Sequence, residues 1–176
     1  WGPSHENGHI HQAAINMIRC GEVSNNLFSN VVTHKLGKFV TWGTPNADIV
    51  KDFEENVPWT LRNIGIMMRM YFQLYLYYHA AGNNPEFYPN LFKLLRKDPL
   101  EKASGEETSN SGRKDLLKFA EKCCEAAGED LTDFFEAHGF FIPMKNVTIG
   151  DYGSYTINST ERMISDTKKK MAKYTK

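Results

Sequence analysis

Apolar residues recur at helical spacing through most of the chain and change to strict alternation only near its end. The most apolar stretch is 61–81, where Ile64, Ile66, Met67, Met68, Met70, Tyr71, Phe72, Leu74, Tyr75 and Leu76 cover much of a helical circumference. This pattern predicts a long helix buried on nearly all sides, a central strut closed by Gly82. A membrane span needs about 20 uninterrupted apolar residues, and Arg62, Arg69, Gln73 and His79 break the run.

Other helices are predicted around this strut. One begins near Pro3, a good first helical residue, and must stop by about Ala14. A second, 22–36, opens at Glu22, turns Leu27, Val31 and Val32 inward and stops at Gly37. Thr44-Pro45 reads as a cap and first-turn proline for a short helix through Phe53 and Glu54. Further helices follow at 85–97, 114–127 and 133–138, ended by Asp98-Pro99, Gly128 and Gly139, the last two leaning on the strut. The polar stretch 101–112 between them lacks apolar anchors and reads as a mobile loop. Residues 146–157 alternate like a small hairpin or ribbon, and Asn158 with Glu161 forms a capping pattern for a last helix carrying Met163, Ile164 and Met171. The fold class is therefore mainly α: a helical bundle with a small β-hairpin near the C-terminus.

Composition narrows the possibilities. A chain of 176 residues with 41% hydrophobic residues suits one domain, 1–176, with a core of its own. Twenty-one basic residues balance twenty-one acidic ones, so no global field favours nucleic acid or anionic lipid. Cys20, Cys123 and Cys124 are an odd set with two adjacent members, which reads as free buried thiols and not a disulfide framework. The lysine-rich end reads as a solvated face, and the Asn146-Val147-Thr148 and Asn158-Ser159-Thr160 patterns matter only in a eukaryotic secretory pathway.

Chemistry enters at His5-Glu6-Asn7-Gly8-His9, an H-E-x-x-H sequence. On a helix His5 and His9 point from one face and can share one tetrahedral metal ion, with Glu6 beside them to take a proton from water. A hydrolytic zinc site takes three protein ligands and keeps one position for water, and Glu22 is the natural third ligand. On an unbroken helix Glu22 would lie roughly 15–20 Å beyond His9 at about 1.5 Å per residue. The first helix must therefore end early and residues 15–21 must fold back. Gln12 lies on the face of His5 and His9, and Asn26 lies one turn beyond Glu22, so both can orient the ligands by hydrogen bonds. His11 points off the metal face, and His34, His79 and His138 have no ligand spacing and read as surface or capping residues. Neither a nucleophile setting for serine or cysteine nor a glycine-rich phosphate loop is found.

These residues, Trp1-Gly2-Pro3-Ser4-His5-Glu6-Asn7-Gly8-His9-Ile10-His11-Gln12 with Gly21-Glu22-Val23-Ser24-Asn25-Asn26-Leu27-Phe28-Ser29, closely resemble the enhancin-like metallopeptidases. These are gluzincins that include viral enhancins and bacterial mucin-degrading enzymes. The resemblance continues through Tyr71-Phe72-Gln73-Leu74-Tyr75 and Asp130-Leu131-Thr132-Asp133-Phe134-Phe135. Ser24 stands where the family commonly has Thr, and Met17-Ile18 where it usually carries Trp, which implies altered contacts near the cleft. The resemblance implies a zincin-like catalytic lobe with Zn2+ on His5, His9 and Glu22, Glu6 as base, and a glycoprotein substrate outside the cell or at a bacterial surface. It further implies an upstream lobe whose twisted sheet binds substrate. Without that lobe, and with His5 beside a terminus, the chain alone is expected to be a poor peptidase. The competing reading is a lobe that binds glycoprotein or a partner without turnover, its metal site structural or vestigial. A site closed by four protein ligands favours that reading, and an open position favours the enzyme.

Overall fold

The computed structural model describes residues 1–38, 46–100 and 111–174, with side chains left aside at 46–49 and 111–114. The Thr44-Pro45 helix start and most of the 101–112 stretch lie outside the described residues. Helices α1 (Gly2–His11), α2 (Asn26–Lys35), α3 (Asn46–Glu54), α4 (Ile64–Tyr75), α5 (Phe87–Lys97), α6 (Ser111–Ala127) and α7 (Thr132–Ala137) are followed by strands β1 (Met144–Gly150) and β2 (Ser154–Ser159) and helix α8 (Glu161–Met171). The fold is mainly α, with one antiparallel two-stranded sheet among the described residues.

The strut forms, but it starts later than the apolar pattern predicts. Residues 59–61 make a separate short 3-10 turn, Arg62 is extended, and the Asn63 side chain accepts from the Gly65 amide at 2.8 Å to cap α4. Leu61 and Ile64 are consequently exposed, while Met67, Met70 and Tyr71 are fully buried. The last part, Leu76–Ala80, widens into a π turn that keeps Tyr78 inside the core. Around the strut, Tyr71 meets Phe119 at 5.6 Å between centroids, and Trp59, Phe140 and Phe135 extend the aromatic cluster at 4.8 and 4.7 Å. Strand β2 and α8 both pack on α6.

Three further expectations are corrected. Helix α2 begins at Asn26, not Glu22, and its buried face is Asn26, Leu27, Ser29 and Thr33, leaving Val32 exposed. Helix α8 is capped by Thr160, whose hydroxyl accepts from Met163 N, because Asn158 is used elsewhere: its side-chain oxygen accepts from Asn146 N across the bulge in β1. His138 is buried, not at the surface. Its Nε2 bonds Gln73 Oε1 at 2.8 Å, and burial pushes its pKa down to about 4, so it is neutral. Cys20, Cys123 and Cys124 are free and buried.

What positions the functional residues is the chain reversal after α1. The helical path runs through a 3-10 turn, Gln12–Ile15, and then leaves helical geometry at Asn16 and Arg19, the latter at φ 61°. Ile15, Met17, Ile18, Cys20 and Val23 are fully buried, so this connection is driven into the core and not looped over it. Tyr71 donates to Ile15 O at 2.9 Å and Arg19 to Thr60 O at 2.6 Å, fixing the reversal to the strut and to the turn before it.

Candidate metal centre

Helix α1 carries His5 and His9 on one face, their rings 5.0 Å apart and edge to face. The reversal returns Glu22 to the same point. Glu22 Oε2 lies 3.2 Å from His5 Nε2 and 3.7 Å from His9 Nε2, and the three donor atoms all fall within 4.8 Å of one another. Glu22 stands in the turn ahead of α2 and not at the start of the helix, where its position in the sequence suggests it.

The donor set fits a zinc ion. Bonds of about 2.0–2.1 Å in a tetrahedron give ligand-to-ligand edges of about 3.3 Å, the scale of the two distances found. Two imidazoles and a carboxylate are the chemistry of a catalytic zinc set, and among the described residues no fourth His, Cys, Asp or Glu joins them. Asn25, fully buried, turns its amide nitrogen to the site, 3.2 Å from His5 Nε2 and 3.1 Å from His9 Nε2, but an amide nitrogen has no lone pair to offer a metal.

Hydrogen bonds hold the histidines from behind. His5 Nδ1 lies 2.8 Å from Asn26 Oδ1, so Nδ1–H donates to the amide and Nε2 keeps its lone pair. Asn26 also donates to Glu22 O at 2.8 Å, tying ligand and ring together. Gln12 Nε2 lies 2.9 Å from His9 Nδ1 and donates to Gly21 O at 3.1 Å, while its Oε1 accepts from Ser24 Oγ at 2.6 Å. Gln12 thus joins His9 to the turn that bears Glu22. Glu6 is exposed on α1 beside His5. Met17 and Ile18 are fully buried in the core beneath the reversal, so they do not line an exposed cleft.

Two neighbours of the centre are not anticipated by the sequence. Asn25 is hidden because only its neighbour Asn26 matches the motif. Tyr152, at the tip of the hairpin, donates its hydroxyl to Glu22 Oε1 across a separation of 130 residues, which no local pattern signals.

A helical lobe that gathers two histidines from one helix and a carboxylate from the next turn defines a metallopeptidase-type metal centre. The chain belongs to the peptidase M60 family, enhancin and enhancin-like, whose model matches residues 1–139. It is similar to a metallopeptidase solved in complex with Tn antigen, with 37% identity and a TM-score of 0.84 over 99% of this chain and 33% of that one. It is also similar to a metallopeptidase from Bacteroides thetaiotaomicron, with 36% identity and a TM-score of 0.84 over 99% of this chain and 30% of the other. The chain therefore spans about a third of the length of these structures. No curated protein matches it.

Proposed function

We propose that this chain supplies the metal-binding and proton-transfer lobe of a zinc endopeptidase that cleaves glycoproteins such as mucins outside the cell or at its surface. The observation that carries the reading is the convergence of His5, His9 and Glu22 on one point, with Glu6 on the same helix as the two histidines. The length of the related structures supports a longer catalytic unit in which a further lobe of the same protein binds the substrate. The Tn antigen bound to one relative supports a glycoprotein substrate. Among the described residues no helix is long and apolar enough to cross a membrane.

A zinc ion held by the two Nε2 atoms and Glu22 would lend Lewis acidity to a peptide carbonyl and to a neighbouring water. The chain's own residues do the rest. Asn26 holds the His5 ring with its Nε2 lone pair free, and Gln12 ties the His9 ring to the Glu22 turn; a metal on His9 Nε2 requires the Gln12 amide to turn its oxygen to the Nδ1–H. Glu6 takes a proton from the attacking water and returns it to the departing amine nitrogen. A set of three donors, with no fourth His, Cys, Asp or Glu among the described residues, supports turnover over a purely structural metal site.

The test is metal content and rate in the full-length protein, on glycosylated and bare peptides. Glu6→Gln is expected to keep its zinc and to lose about 10²- to 10⁴-fold in kcat, the usual contribution of a general base. Glu22→Ala is expected to lose zinc affinity by more than about 100-fold. A Glu6→Gln protein that cleaves at the wild-type rate refutes the assignment.

A further inference from the structure

We propose that Tyr152 is a catalytic residue that donates its hydroxyl to the substrate carbonyl oxygen as that oxygen gains charge. The inference rests on the peptidase reading above. Glu22 divides its two oxygens: Oε2 faces His5 and His9, and Oε1 accepts from the Tyr152 hydroxyl. The phenol therefore stands at the edge of the metal centre, on the carboxylate oxygen that the histidines leave free.

Three observations separate this contact from ordinary packing. Tyr152 is 87% exposed, so its ring gains little by burial where it is. Its backbone has φ 51°, a left-handed conformation that suits glycine or asparagine at a turn and disfavours an aromatic residue; such an outlier points towards function. The ring also needs Gly21 beneath it, since a Cβ there would fall 2.9 Å from the tyrosine ring and 2.8 Å from Asp151 Oδ1. Turn, ring and glycine thus combine to bring one hydroxyl to one carboxylate. A phenol keeps its proton at neutral pH and can donate it in a hydrogen bond.

In the step itself, water oxygen bonds to the carbonyl carbon while Glu6 takes one water proton, and the carbonyl π pair moves onto the oxygen. Tyr152 turns its O–H from Glu22 to that oxygen without giving up the proton. The C–N bond then breaks, its electron pair leaves with nitrogen, nitrogen takes the proton from Glu6, and Tyr152 returns to Glu22. Losing one donor of this kind costs about 10²–10³ in kcat.

The experiment uses the full-length zinc-loaded protein and a peptide carrying Tn antigen. Tyr152→Phe keeps the ring and removes one oxygen; Tyr152→Asn suits the turn and removes the phenol. For both, kcat is expected to fall about 10²- to 10³-fold with KM and zinc affinity, the latter by chelator competition, within about threefold. Binding of a phosphinic peptide, which mimics the charged tetrahedral carbon, is expected to weaken by at least about 30-fold in the same variants. Tyr152→Asn is expected to melt no lower than wild type, because the strain is relieved. A kcat within about threefold of wild type, or a loss explained by zinc affinity, by KM alone or by a lowered melting temperature, overturns the role. Wild-type cleavage that Glu6→Gln abolishes upholds the peptidase reading independently, so a fully active Tyr152→Phe then defeats the tyrosine alone. A wild-type protein that cleaves no peptide defeats both.

Discussion

A methyl group at Gly8 would sit 2.4 Å from the backbone oxygen of Asn25, so the glycine inside the histidine motif is what lets α1 rest directly on the turn of Glu22. Gly8→Ala must push helix and turn apart, because the obstacle is backbone and cannot swing away. We expect a stability loss of about 1–3 kcal/mol and a zinc affinity at least about tenfold weaker, measured by urea unfolding and by chelator competition. A Gly8→Ala protein with unchanged zinc affinity shows that the contact does not set the site. At this scale much was legible. The spacing of His5 and His9 places them on one face whatever surrounds the helix, and Gln12 follows from the same periodicity. Asn25 and Tyr152 were not, because their roles depend on chain segments that periodicity does not connect.

Helix ends decided where the elements lie. The apolar run from Leu61 suggests a helix that begins there, yet the Asn63 side chain satisfies the Gly65 amide and sets the start at Ile64. Asn63→Ala is expected to lower stability by about 1 kcal/mol, read as a shift in urea midpoint with an unchanged slope. No shift means that another group caps the helix. The same competition moved the start of α8 from Asn158 to Thr160. A capping pattern in sequence identifies groups able to cap, and the partners actually in reach choose among them. In the chain reversal, too, the need for a break was legible from the distance Glu22 had to travel, whereas its form, with Arg19 at positive φ, was not.

Across the whole molecule the floor of the fold is a polar group sealed among aromatic ones. His138 lies beneath Phe134 and Phe53, bonds Gln73 of the strut, and sits near Arg62, itself only 2% exposed and stacked over Phe53. Burial first, then the Arg62 charge, lowers the His138 pKa to about 4. The unfolded chain binds that proton near the ordinary pKa of about 6.5, so the stabilising contribution is full above that pH and is lost as pH falls towards 4. The total is about 3 kcal/mol, taking about 1.4 kcal/mol per unit. Urea midpoints at pH 7.5 and 4.5 are expected to differ more for wild type than for His138→Gln, and equal differences in the two proteins refute a buried neutral His138.

The sequence by itself determined the helical class, the apolar strut, the hairpin near the end and the placing of His5, His9 and Gln12 on one helical face, because each depends on near-neighbour spacing along one element. Only the tertiary structure decided that Glu22 reaches the histidines from a turn, that Asn25 closes the centre from within, that Tyr152 arrives from the far hairpin and that His138 is buried. Each of these depends on which distant segments share the core, and that is fixed by Ile15, Met17, Ile18 and Val23 being driven inside against the strut.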